Sequence, residues 1–274
     1  MRQSFDILSI IVDKMPNIPL SPEVLEVQNL PRPIAATATN YGPGDEIDWH
    51  THPRGQLIYG ISGVLTVITE IGRWVLPPER AVWVPAGVEH RSEIAGAVRM
   101  RSLFVETEAA KALPPDCCVV TVPTLLRELI LEAVSVPNMY DIDGPDGRLM
   151  AVILDRLDRL EPTPLYLPIP SDARLRRITD RLAVNPGEGG GLDAWAKQAG
   201  ASGRTLARLF VKETGLTFGA WRQQARLLKA LEWLAAGKPV TSIALDLGYE
   251  SPSAFSAMFR RALGQPPGSY LKSR

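Results

Sequence analysis

Apolar positions along this chain follow two different periods, and the change of period divides it. Between residues 33 and 108, short β-branched and aromatic runs alternate with Gly and Pro punctuation. Residues 57–61, 64–70, 73–76, 81–84 and 98–105 read as strands, with Ser62-Gly63 and Ile71-Gly72 as hairpin turns. Many short strands at close spacing predict a β-sandwich or barrel. A helical period follows over 122–134 and 147–160, separated by the turn-rich stretch 137–145. Their apolar stripes are Leu125, Leu126, Leu129 and Ile130, then Met150, Ile153, Leu154 and Leu157. A lone domain of this size offers no evident surface to bury both, so one of them is expected to form the two-fold interface of a homodimer. Four prolines in the ten residues 161–170 then predict an extended, semi-rigid linker.

Beyond the linker, one pattern occurs twice, 49 residues apart. Ser202, Phe210, Gly215 and Trp221 are answered by Ser251, Phe259, Gly264 and Tyr270. Upstream, Trp195-Ala196 and Gly200 match Ile243-Ala244 and Gly248. Such self-similarity means one supersecondary unit used twice. Each serine is a good N-cap, and Pro252 suits the first helical position, where a missing N–H costs nothing. Leu206, Leu209 and Phe210 fall on one face of the first helix, as do Phe255, Met258 and Phe259 on the second. The opposite faces carry Gly203, Arg204, Ala207 and Arg208 in one copy, and Pro252, Ser253, Ser256 and Ala257 in the other. A short Ala-rich helix and a glycine turn precede each copy, over 192–200 and 240–248, which is helix-turn-helix spacing. One long helix, 218–236, joins them.

The last hundred residues resemble the AraC/XylS family of transcription regulators. The resemblance is carried by Arg208-Leu-Phe-x-x-Glu-x-Gly215, by Arg226-Leu-Leu-Lys-Ala230, and by the run from Val240-Thr-x-Ile-Ala through Leu247-Gly-Tyr249, Phe255, Met258-Phe-Arg260 and Gly264 to Pro267. It implies two helix-turn-helix units entering successive major grooves on one face of double-stranded DNA, about 34 Å apart. The expected DNA contacts are Ser202, Gly203, Arg204, Ala207, Arg208, Ser251, Pro252, Ser253, Ser256, Ala257 and Arg260.

Charge supports that reading only when it is divided. The whole chain balances 30 basic against 30 acidic residues, which alone argues against nucleic acid. Residues 171–274 hold 16 basic and 8 acidic, a net +8, leaving −8 on residues 1–170. A basic C-terminal part is the footprint that phosphate contact requires. The length of 274 residues fits two domains, with bounds expected at 1–162 and 171–274 around a linker at 163–170. No apolar run reaches the ~20 residues that span a bilayer. The stretch from Ile7 to Val12 is flanked by Asp6 and Asp13 and lacks a small-residue cleavage site, so no signal peptide and no membrane partner are expected. Cys117 and Cys118 are adjacent and form neither a disulfide framework nor a metal spacing, as fits a cytoplasmic protein.

All three histidines lie in the β-rich part. The spacing is Gly44-x5-His50-x-His52-x3-Gln56-x6-Gly63, followed by Pro85-x-Gly87-x2-His90. Residues two apart on a strand share a face, so His50 and His52 can point together into a barrel. The pattern resembles the two cupin motifs, which implies a metal held by His50, His52, the residue at Gln56, and His90. Two positions depart from the motif: Gln56 stands where a carboxylate is expected, and Ile94 where an asparagine is. A neutral set of three imidazoles and an amide oxygen suits Zn²⁺, Ni²⁺, Cu²⁺ or Fe²⁺. Equally open is a cluster that orients a small effector, or that fills a barrel with hydrogen-bonded polar groups. Trp49, Tyr59, Trp74 and Trp83 are the candidate lining of an effector pocket.

The expected protein is thus a two-domain, non-enzymatic transcription regulator. An all-β cupin-like barrel with a helical dimerisation segment precedes an all-α double helix-turn-helix domain, and a small molecule or metal in the barrel acts as effector. Two alternatives stand beside it: an inert barrel used only for dimerisation, and a metal-dependent cupin enzyme fused to a DNA-binding domain.

Overall fold

A computed structural model describes residues 17–163 and 165–270 of the chain. The stretch from Ile7 to Val12 and the linker's Pro164 lie outside the described residues. The elements run β1 (Asn17–Ile18), α1 (Pro22–Val27), β2 (Ile34–Tyr41), β3 (Glu46–His50), β4 (Gly55–Gly60), β5 (Val64–Ile68), β6 (Gly72–Leu76), β7 (Arg80–Val84), β8 (His90–Ala95), β9 (Val98–Val105) and β10 (Cys118–Thr121). Two helices follow, α2 (Thr124–Ala133) and α3 (Pro145–Leu157), then the short strands β11 (Pro162–Thr163) and β12 (Tyr166–Pro168). The rest is helical: α4 (Ala173–Val184), α5 (Leu192–Gln198), α6 (Gly203–Thr214), α7 (Phe218–Ala235), α8 (Val240–Asp246), α9 (Pro252–Leu263) and α10 (Pro267–Tyr270).

The strands form two six-stranded sheets, ordered β1-β3-β8-β5-β6-β12 and β11-β10-β7-β4-β9-β2. Strand alternation decides which side chains meet between them. Leu65 and Val67 of β5 face inward, in register with Leu76 and Trp74 of β6 and with Ile94 and Ser92 of β8. On the other sheet Gln56 and Ile58 pair with Phe104 and Ser102. The turn at Ile71-Gly72 does close a hairpin, between β5 and β6. Ser62-Gly63 does not: β4 and β5 belong to different sheets, and the chain there crosses from one to the other. Gly63 has φ +75, and a Cβ on it would stand 2.7 Å from the Ala97 carbonyl oxygen, so the crossover needs glycine.

The two helical stripes find their cover within the chain. Leu126, Ile130 and Ala133 of α2 and Met150, Ile153 and Leu157 of α3 pack on the outer face of the second sheet, against Ile34, Leu57, Tyr59, Trp83 and Leu103. The expectation that this domain lacks surface for both helices is therefore corrected: outward-facing apolar residues of β2, β4, β7 and β9 supply it. The Pro-rich segment is likewise extended but not free. Its residues Pro162–Thr163 pair with β10 and Tyr166–Pro168 with β6, so it is sewn to both sheets as edge strands. Proline is tolerated at such edges because no ladder donor is required of it.

The helical domain docks on the outer face of the first sheet. Trp221 of α7, fully buried, donates its indole N–H to the Pro168 carbonyl at 2.9 Å. Thr66 Oγ1 donates to Glu232 Oε1 at 3.0 Å, and Glu232 also accepts from Lys229 Nζ at 2.9 Å. Arg73 bridges Glu93 at 2.6 Å and reaches Glu232 at 4.0 Å. Gly96, at φ +79, brings its backbone so close that a Cβ would lie 2.8 Å from the Ala235 carbonyl oxygen.

Candidate DNA-reading surface and histidine centre

In the helical domain both expected recognition helices form, each twelve residues long. Ser202 Oγ accepts from Thr205 N–H at 3.2 Å, and Ser251 Oγ accepts from Ala254 N–H at 3.2 Å. Gly215 (φ 71) and Gly264 (φ 79) end them in the left-handed conformation that favours glycine. Leu206 and Phe210 of α6, and Phe255, Met258 and Phe259 of α9, are buried. That leaves Arg204, Arg208, Pro252, Ser253, Ala257 and Arg260 exposed, with Gly203, Ala207, Ser251 and Ser256 half-exposed. Pro252, Ser253, Ser256, Ala257 and Arg260 line one shallow groove. Among the described residues no ion pair joins Arg204, Arg208 or Arg260 to an acid; those of this domain are Arg174–Asp172, Arg181–Glu188, Lys229–Glu232 and Lys238–Asp246. Gly203 has a second role that sequence reading missed. A Cβ there would stand 1.9 Å from Asp193 Oδ1, so glycine leaves room for the carboxylate of α5 beside the start of α6.

The three histidines come together at one end of the barrel. His50 ends β3 opposite His90 on β8. His52 lies past the strand end, in the segment leading to β4, so strand alternation does not place it. A backbone bond does: Gly87 N–H donates to the His52 carbonyl at 2.8 Å, tying the first histidine segment to the turn before His90. Ring centroids are 4.8 Å apart for His50–His52, 4.2 Å for His50–His90 and 5.4 Å for His52–His90. One nitrogen from each ring falls within 4.8 Å of the others.

Hydrogen bonds sort the ring nitrogens. His50 Nδ1 lies 2.6 Å from the Asp48 carbonyl and His90 Nδ1 2.9 Å from the Val88 carbonyl. A carbonyl only accepts, so each Nδ1 carries the proton and each Nε2 keeps its lone pair. His52 Nε2, His90 Nε2 and Gln56 Oε1 are buried without a partner. Gln56 is held from the other side, donating Nε2–H to Ser102 Oγ at 3.1 Å. Burial pushes His52 down to about 3, with the other two imidazoles adding to the shift, and pushes His90 down to about 4; His50 is lowered as well, again by burial. The cluster is therefore neutral at pH 7, the protonation state in which imidazole donates to a cation. Ser102 and the edge of Phe104, 5.2 Å from the His52 ring, complete the surround. Neither was singled out from sequence, although both fall on the inward alternation of β9.

The four aromatics proposed as a pocket do not assemble. Tyr59 and Trp83 face the opposite way from Gln56 and Val82, into the layer beneath α2 and α3, because adjacent strand residues take opposite faces. The Trp83 indole N–H donates to the Pro114 carbonyl at 2.8 Å. Trp49 is 45% exposed on the outer side of β3, with the Arg91 guanidinium 5.9 Å from its ring. Trp74 points inward but stacks with Tyr166 of the linker strand, 6.2 Å between centroids. A residue that sequence reading passed over, Arg54, is buried two positions beyond His52. It donates to the carbonyls of Gln28, Leu30 and Arg32, pinning the segment after α1 to the barrel.

Comparison with known proteins agrees with this division. A helix-turn-helix domain model matches residues 195–273 and a cupin domain model residues 38–106. The HTH-type transcriptional regulator NimR of Escherichia coli (strain K12) is 40% identical over 222 residues, covering 81% of each chain. Regulatory protein SoxS of Salmonella typhimurium is 40% identical over 80 residues, 29% of this chain and 75% of that one. Among solved structures, ToxT from Vibrio cholerae bound to an unsaturated fatty acid aligns with 89% of this chain and 96% of its own at 11% identity and a TM-score of 0.37. None of the described helices is long and apolar enough to cross a membrane. With two capped recognition helices, a cupin barrel before them and a relative matched over four-fifths of its length, the chain belongs to the AraC/XylS family of DNA-binding transcription regulators.

Proposed function

We propose that this regulator responds to a divalent transition metal, or to a small molecule held through one, in the histidine centre of its barrel. The observation that carries the reading is the convergence of three neutral imidazoles: one ring nitrogen each from His50, His52 and His90 lies within 4.8 Å of the others, and the His90 Nε2 lone pair is buried with no hydrogen-bond partner. An unsatisfied buried polar atom costs about 1–3 kcal/mol, and a cation bound among the three rings would relieve that cost at His90 Nε2. His50, His52, His90 and Gln56 would hold the metal, and the carbonyls of Asp48 and Val88 fix the tautomer and aim of two of the rings. The metal itself supplies a Lewis-acidic centre to which an anionic or carbonyl-bearing effector can bind. We read the site as sensory rather than catalytic, because the relatives are regulators and because an amide replaces the carboxylate.

The test is metal content after incubation with Zn²⁺, Ni²⁺, Cu²⁺ and anaerobic Fe²⁺, followed by gel filtration. One equivalent per chain, lost in His50→Ala and His90→Ala, supports the reading. A wild type that stays free of all four metals rejects it and favours a barrel that serves assembly alone. Leu125, Met139, Ile142 and Val152, on and between α2 and α3, remain exposed. On that ground we also infer a homodimer joined through one of these helices, and DNA binding goes with a cytoplasmic location. A monomer in sedimentation at micromolar concentration, with and without DNA, rejects the dimer.

A further inference from the structure

The two DNA heads share α7 and one apolar core with it, and a second tie joins them beside it. That tie is a cluster around the loop between α4 and α5. Arg226 of α7 donates Nε–H to the Pro186 carbonyl at 3.1 Å, and its guanidinium lies 5.3 Å from the ring of Tyr249, in the turn that leads into α9. One helical turn earlier, Arg222 donates to the carbonyls of Gly190 and Glu188. The same loop presses on the second head directly. A Cβ on Gly187 would stand 1.9 Å from the Asp246 carbonyl oxygen, and one on Gly248, at φ +74, would stand 2.9 Å from the Gly187 carbonyl oxygen and 3.2 Å from an Arg226 Nη atom. A segment leading into the first head thus touches the turn of the second, and two arginines of the shared helix clamp it there.

We infer that Arg226 is a positioning residue for DNA recognition: through the 186–190 loop and Tyr249 it sets the separation and angle of α6 and α9, and thereby the half-site spacing that the protein accepts. The physical ground is the planar guanidinium. It gives a directed N–H to the loop carbonyl while stacking on an aromatic face, and an ammonium cannot do both in fixed geometry. The buried sides of α6 and α9 carry their own aromatic pairs, Phe210 with Phe218 and Phe255 with Phe259, and join one apolar core with α7. Loosening the clamp leaves both pairs in place. What changes is how firmly one head is held against the other.

The test uses the full-length protein and a duplex that the wild type selects from a random-sequence pool. From that duplex come versions with one base pair inserted or removed between the two half-sites, and one version with the half under α9 scrambled. Three proteins are compared by fluorescence anisotropy: wild type, Arg226→Lys, which keeps the charge, and Gly187→Ala, which wedges the loop from the second head without touching Arg226. Altered spacing is expected to cost the wild type about tenfold or more. In both variants that penalty falls to about threefold or less, because the heads adjust independently. Binding to the scrambled duplex, and the slope of affinity against salt, stay as in the wild type. A wild-type spacing penalty in whichever variant folds overturns the inference. So does an equal loss on the intact and scrambled duplexes, which marks damage to one head.

Discussion

Removing Arg204 and Arg208, singly and together, asks which head reads bases. Both side chains are exposed on α6 and have no acid partner among the described residues, so no existing ion pair must break before either meets DNA. Four residues of helix rise about 6 Å, nearly two base steps of about 3.4 Å each. The two guanidiniums therefore address different bases, about two steps apart, rather than one. A bidentate contact to guanine discriminates by about 1–3 kcal/mol, or roughly 5- to 150-fold in affinity. The two losses add if the contacts are independent. At α9 the comparable groups are the hydroxyls of Ser253 and Ser256, and a neutral hydrogen bond contributes only about 0.5–1.5 kcal/mol. Ser253→Ala and Ser256→Ala should therefore weaken binding less, and evenly across sequences. Arg260→Ala is expected to lower the slope of log affinity against log salt by about 0.9 while leaving base preference intact. The assay is anisotropy on the selected duplex and all its single-base variants at fixed salt. If the half under α9 is the more constrained, or if Arg204→Ala weakens every sequence equally, the assignment of base reading to α6 is wrong.

Three further outcomes follow from the barrel and its docking face. In a thermal melt, the metal that binds should stabilise the wild type by about 2.7 kcal/mol at a hundred times its Kd and leave His90→Ala unmoved; a shift that survives in the variant removes His90 from the site. In chelator, stability should fall with acid: His52 and His90 are held at about 3 and about 4 in the fold, against about 6.5 unfolded. The unfolded chain thus binds protons first, so the contribution is fully present above about pH 6.5 and is lost progressively below it. A denaturant midpoint that does not fall between pH 7.5 and 5 contradicts this. Gly96→Val meets both a left-handed backbone and the Ala235 carbonyl, and should split a single calorimetric transition into separate barrel and head transitions; one transition at an unchanged temperature shows that the docking face is not cooperative.

Local chemistry and long-range contact separate what could be read from the chain. The recognition helices were legible because a serine cap, a 3.6-residue apolar stripe and a glycine stop all act within a dozen residues. The histidine centre was legible in composition, since its three imidazoles are all the chain possesses. Its geometry was not, because His52 is placed by the Gly87 N–H rather than by strand alternation. Tyr59 and Trp83 were misplaced for a related reason. Their strands are buried on both faces, so no polar alternation marks the inward side. The clamp at Arg226 joins residues about 40 and 23 positions away, and no local signal announces such a tie.

Strand β8 has a consequence that reaches both halves of the molecule. His90, Ser92 and Ile94 look into the barrel, while Arg91 and Glu93 look out, and Glu93 holds the Arg73 that reaches Glu232 on α7. One strand thus carries an imidazole of the histidine cluster on one surface and part of the seat of the DNA-binding domain on the other. The partition between inside and outside is a single peptide thick. A twist of that peptide cannot be confined to either side: a movement of about an ångström at His90 is also a movement of the surface on which α7, the helix shared by both heads, rests. Communication in such a molecule needs no relay of side chains across a domain, only a wall that bends.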